Sequence, residues 1–236
     1  MIEVAPMAQR LIGFLAMQGG RPVRRAFVSG TLWYDAPESR ANASLRSAVW
    51  RSPVVDGCAL VGASNTHLWL HPELVVDLHA ASAHARAVLD MPSLDPTSID
   101  VHAELTSFAE DVLVGWYDDW VVTERERFRQ LRLHVLDQLG ELLLRAHRYS
   151  EALQVGLVAV ASEPLRESSH RLLVRAHLCE GNLAEAVRQY RTYAGLLARE
   201  LQVRPSAAME ELVASAVAST GSTRWSKEIR IPSATA

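Results

Sequence analysis

The stretch HRLLVRAHLCEGNLAEAVRQY, residues 170–190, decides how this chain folds. Its apolar residues return every three or four positions, pause around Gly181 and Asn182, and then resume. That is the pattern of two helices joined by a tight turn, with Asn182 placed to end the first. The same outline stands earlier in the chain. Arg148-Tyr149-Ser150-Glu151-Ala152 aligns with Asn182-Leu183-Ala184-Glu185-Ala186 at a spacing of 34, the tetratricopeptide period. The first copy supplies Leu136, Leu139, Gly140, Leu143 and Ala152, with Pro164 after its second helix. The second supplies His170, Leu173, Val174, His177, Ala186 and Tyr190. Gly156 falls where the pattern wants an aromatic ring, so the first copy is imperfect.

One such repeat cannot cover its own apolar face, so neighbours must. Apolar periodicity places further helices over 75–90, 101–114 and 205–218, with Pro164 and Pro205 in first turns. An all-helical, tetratricopeptide-like domain is therefore expected over 75–218. Residues 219–236, rich in Ser and Thr and without period, read as a disordered tail.

The front of the chain has a different rhythm. Helices are expected over 6–18, closed by Gly19-Gly20, and over 24–33, with Phe27, Val28, Thr31 and Leu32 facing inward. A third spans 38–51, within ESRANASLRSAVWRSP, and stops at Ser52-Pro53. At roughly 100° per residue, its Ala41, Leu45, Ala48 and Val49 share a wedge about 100° wide. Arg40, Ser44, Ser47 and Arg51 fall on the far side, with Asn42 and Arg46 flanking. CALV, the turn GASN and THLWL then read as a β-hairpin over 58–70.

Three helices and a hairpin is the order of a winged helix, whose third helix enters the major groove while the wing touches the backbone. Arginine there suits guanine O6 and N7, and Ser or Asn suits phosphate or base edges. The candidate DNA-binding residues are thus Arg40, Asn42, Ser44, Arg46, Ser47 and Arg51 on the helix. Ser64, Asn65 and Thr66 on the wing, and Arg24 and Arg25 before it, complete the set. An amphipathic helix with charge merely facing water would look the same in periodicity alone.

Composition is consistent with this division. The 236 residues carry a net charge of −3, but the first 55 hold seven arginines against three carboxylates, leaving 17 basic and 24 acidic residues for the rest. A basic head on an acidic body suits a small anion-binding surface on a larger scaffold. No apolar run is long enough to cross a bilayer and no signal peptide is visible, so a cytoplasmic location is expected. Cys58 and Cys179 read as reduced thiols.

Rival chemistry finds little support. His67 and His71 lie on a strand-like segment rather than one helix face, and His170 and His177 occupy packing positions of the repeat, so no metal is expected. Trp116-Tyr117-Asp118-Asp119-Trp120 reads as the start of a long helix, capped by Asp118 or Asp119, rather than a catalytic carboxylate pair. Neither GxxxxGK[ST] nor GxGxxG occurs. Neither an enzyme nor a cofactor is expected.

Five stretches together resemble the SARP family of actinobacterial transcriptional activators. They are LWYDA (32–36), RANASLRSAVWR (40–51), GWYDDWVVTERERFRQLRL (115–133), AVASEPLRESSHRLLVRAHLCEGNLAEAVRQY (159–190) and LARELQVRPS (197–206). The resemblance implies a mainly α fold. A winged-helix-like DNA-binding domain, 1–74, here lacking its leading β-sheet, would precede a bacterial transcriptional activator domain, 75–218. It also implies sequence-specific binding of double-stranded promoter DNA, contact with RNA polymerase and a homodimer, with no membrane. The alternative is a tetratricopeptide-like interaction module that has lost DNA binding. Its groove would be lined by Arg171, Arg175, Arg188 and Arg191.

Overall fold

The computed structural model describes residues 3–90, 99–108 and 111–219. The 219–236 tail therefore lies outside the described residues except for Ser219. The chain forms two compact units, one of residues 1–84 with 111–128, the other of 85–110 with 129–236.

The first unit begins with α1 (Pro6–Ala16), opened by a proline whose missing N–H would have had no helical partner. A two-residue strand β1 (Val23–Arg24) leads into α2 (Arg25–Leu32), and α3 (Glu38–Trp50) follows. Next come β2 (Val54–Val55), β3 (Cys58–Ala59), β4 (Val61–Ala63) and β5 (His67–Leu70). Leu11, Phe14, Leu15, Val28, Leu32, Leu45, Ala48 and Leu68 close one core, against which Val49 and Trp120 pack. The expected docking wedge of α3 is therefore the face that docks.

Local details differ from the sequence reading. The expected single hairpin over 58–70 is two structures. β2 and β3 pair around Asp56 and Gly57, whose φ angles of 49° and 82° are those of a two-residue hairpin turn. β4 and β5 pair separately, and β1 joins β5 as a third strand, Arg24 opposite His67. Phe27 is 57% exposed rather than inward. In a helix of eight residues Val28 and Leu32, one turn apart, fill the buried stripe, and Phe27 falls on its margin with its ring 6.0 Å from Phe14. Asp118 precedes the long helix, but its carboxylate accepts from Arg10 Nε at 3.0 Å rather than capping that helix.

Along the chain, α4 (Asp77–Asp90), α5 (Val101–Ser107) and α6 (Asp119–Arg145) follow, with the second unit taking α5 and the C-terminal parts of α4 and α6. α5 ends earlier than the expected 114. α7 (Tyr149–Ser162), α8 (Glu167–Cys179), α9 (Leu183–Glu200) and α10 (Ala207–Ser219) complete the chain. Gly181, at φ 79°, ends α8, and Asn182 donates its N–H to the His177 carbonyl at 2.8 Å to close that helix while also standing at the start of α9. Pro164 and Pro205 precede their helices instead of entering the first turn.

α6 and α7 run antiparallel, since an ion pair joins Arg129, in the first half of α6, to Glu163, at the C-terminal end of α7. α8 and α9 do likewise, with Gln189 reaching back to His170. Leu139, Leu143, Ala152, Leu173 and Ala186, expected in the core, are all at most 1% exposed. The period also organises charge: Glu141 and Arg175, 34 residues apart, form an ion pair. The imperfect position, Gly156, has a physical account. A Cβ there would lie 2.6 Å from Leu173 Cδ2, so the leucine of the second repeat fills the space that a ring would occupy in the first.

His170 carries a pH dependence. Its ring is buried, stacks on Tyr193 at 4.3 Å, donates from Nε2 to the Pro164 carbonyl and accepts at Nδ1 from Gln189. Those partners specify the neutral tautomer, and burial holds the pKa below its usual value. The unfolded chain, with a histidine near the ordinary value of about 6.5, then binds the proton more readily. This contribution to stability is full above that pH and is lost as pH falls toward the depressed value. The urea midpoint should fall between pH 7 and 5 more steeply for the wild type than for His170→Gln. Parallel curves would contradict the assignment.

Candidate nucleic-acid interface

Strand pairing, not helix periodicity, assembles the candidate site. Because β1 pairs with β5, Arg24 and Arg25 stand beside the tip of the β4–β5 wing. Arg25 N–H donates to the Thr66 carbonyl at 2.9 Å, and its guanidinium reaches the Ser64 carbonyl at 3.3 Å. The wing tip is itself held by Ser64, whose backbone N–H donates to the His67 carbonyl at 2.9 Å while its Oγ accepts from the His67 N–H at 3.0 Å. Thr66 Oγ1 bonds His67 Nδ1 at 2.9 Å.

Opposite the wing stands α3, and between them lies an open cleft of about 730 Å³. It is lined by Arg24, Arg25, Ala26, Asn42, Leu45, Arg46, Ser64, Asn65, Thr66 and His67. Of the residues proposed from sequence, the cleft brings together Arg24, Arg25, Asn42, Arg46, Ser64, Asn65 and Thr66. It does not include Arg40, Ser44, Ser47 or Arg51. Three of them lie on α3 and Arg51 is its C-cap, but helical rotation turns all four about 100° or more away from Asn42 and Arg46. Arg40 and Arg51 are exposed there, and Ser44 and Ser47 half-buried. Sequence reasoning missed His67 as a lining residue. It had placed His67 on a strand, but nothing in so short a strand as β1 announces the pairing that brings it beside Arg24.

In the second unit Arg86, Arg145, Arg199 and Arg204 make no ion pair among the described residues, whereas Arg129, Arg148, Arg166, Arg171, Arg175 and Arg188 are each paired with a carboxylate. This includes three of the four arginines considered for a partner groove. At the cleft, Arg24 and Arg46 make no ion pair among the described residues, and neither do Arg40 and Arg51 away from it. Exposed guanidiniums without counter-charges present donors for phosphate or carboxylate oxygens in a fixed fork. Asn65, exposed at the wing tip, adds an amide with no partner among the described residues. The site offers donors for recognition of an anion.

Residues 76–215 match the model of the bacterial transcriptional activator domain. Regulatory protein AfsR of Streptomyces coelicolor is 28% identical over 216 residues, which is 88% of this chain and 22% of the relative. The AfsR of Streptomyces griseus is 26% identical over 215 residues, with the same coverage. The chain thus spans about a fifth of the length of these curated relatives. A solved structure of Mycobacterium tuberculosis EmbR, in complex with a low-affinity phosphopeptide, superposes with a TM-score of 0.68 at 17% identity. The match covers 92% of this chain and 61% of that one, and shows a shared fold. No described helix is long and apolar enough to cross a membrane.

Proposed function

The chain belongs to the bacterial transcriptional activator domain family, as a regulator of the SARP type, and from that premise we propose that it binds double-stranded promoter DNA in a sequence-specific manner to activate transcription. Residues 1–74 form the DNA-binding domain in this reading. Residues 75–218 serve self-association or contact with RNA polymerase, and the protein acts in the cytoplasm without cofactor or catalytic step.

One observation carries the reading: Arg24, Arg25 and Arg46 converge on a cleft between α3 and the wing whose lining holds no carboxylate. A winged helix lays its third helix in the major groove, so a phosphate strand runs between helix and wing. Here that path is lined by Arg24, Arg25, Arg46 and Asn65. The other guanidiniums of α3, Arg40 and Arg51, approach the groove from its opposite flank.

Arg24 tests the phosphate contact, because it is exposed on β1 and unpaired. Arg24→Ala is expected to weaken binding to all duplexes alike and to reduce the slope of log affinity against log salt by about one. Fluorescence anisotropy with labelled duplexes across a salt series measures both quantities. An unchanged slope would show that Arg24 touches no phosphate.

A further inference from the structure

Trp50, the last residue of α3, is 84% exposed. Helical rotation sets it about 150° from the centre of the wedge that docks on the core, so it stands near the outermost line of the helix. Arg46 is one turn before it and Ser47 lies beside it at i−3. No hydrogen bond or ring contact holds the indole among the described residues.

Its surroundings limit what covers it. The outward half of α3 after its first residue carries Arg40, Arg46 and Arg51 and no carboxylate, and those arginines lack counter-charges. The complement to this surface is a polyanion that presents an apolar group between its charges. Duplex DNA does so in the major groove, through the C5-methyl of thymine. A large ring at the end of a helix lying in that groove has the reach for such a contact and the area to gain from it. We propose that Trp50 is a specificity-determining residue that reads a thymine in the major groove by packing against its C5-methyl. The inference rests on the DNA-binding reading above and names a base that the arginines, suited to guanine and phosphate, do not select.

The test uses the 236-residue chain and a duplex that it enriches from a random-sequence pool. Each thymine of that duplex is replaced in turn by deoxyuridine, which removes only the methyl. Wild type is expected to weaken about fourfold at one position, the effect of one lost apolar carbon. Trp50→Ala should bind the unmodified duplex about tenfold more weakly or worse, as loss of a buried aromatic anchor does. It should be indifferent to the methyl at that position and keep the wild-type salt slope, because no phosphate contact is removed. Trp50→Phe should retain the methyl dependence. Because Trp50 is exposed, thermal midpoints of the variants should match wild type.

If wild type selects a duplex but Trp50→Ala binds it equally well, or keeps the methyl dependence, this inference falls and the DNA-binding reading stands. If Trp50→Ala instead loses only self-association in sedimentation, the ring covers a second copy and the inference is overturned. If no duplex is enriched, both fall.

Discussion

Leu143→Ala is expected to lower the free energy of unfolding by about 2–5 kcal/mol, the cost of emptying a fully buried leucine site that relaxes only in part. Leu143 is 0% exposed, and it sits on α6 one helical turn after Leu139, which is also buried. The surrounding elements cannot collapse freely into the void. The Leu143 carbonyl accepts the Arg148 N–H at 2.9 Å in the turn to α7, and Glu141 on the same helix is tied to Arg175. Leu157→Ala, at a leucine 59% exposed on α7, is the control and should change stability by under about 0.5 kcal/mol. Urea unfolding of both variants measures the contrast. A loss below about 1 kcal/mol at Leu143 would mean that the repeat core is not organised around it.

Arg46→Ala carries the second large effect, about 1–3 kcal/mol of DNA-binding free energy with relaxed preference at one base pair. Arg46 is exposed, makes no ion pair among the described residues, and faces the cleft from α3 rather than from the wing. In the proposed reading Arg46, on the helix, meets a base edge and Arg24, beside the wing, meets the backbone. The two substitutions should separate: Arg46→Ala narrows the gap between preferred and random duplex, while Arg24→Ala lowers both. Equal losses on every sequence for Arg46→Ala would assign it to phosphate instead.

The repeat domain was legible because its information is periodic and redundant. Leu139 with Leu173 and Ala152 with Ala186 repeat the same packing demand at a fixed spacing, and both pairs are buried. Gly156 broke the pattern for a reason invisible along the chain, since the atom that needs its space belongs to Leu173 on the next helix. The front unit was legible at the level of its helices and less so in its strands. β1 is two residues long and has no alternation to detect, yet it is the strand that brings Arg24 and Arg25 to the wing. Asp56-Gly57 did carry a strong turn signal, which marks the β2–β3 pair; the expected hairpin began at Cys58 and so joined β3 to the wing without β2.

The same limit governs the candidate interface. Angular reasoning on α3 separates the buried wedge from the outward arc, because burial follows apolar composition. It does not say on which flank of that arc the wing stands, which depends on strand pairing distant in sequence. Asn42 and Arg46, which had seemed to flank the main stripe, are therefore the helix residues that share the cleft, and Arg40 and Arg51 are not.

Sequence-selective binding of duplex DNA by the 236-residue chain is the most direct measurement. A duplex enriched from a random pool and a scrambled version of it are titrated at about 50 and 200 mM salt, the range over which phosphate contacts show their dependence. The enriched duplex is predicted to bind about a thousandfold tighter or more than the scrambled one, with both affinities falling steeply as salt rises. Equal and weak binding to the two duplexes, unaltered by Arg46→Ala, would contradict the account.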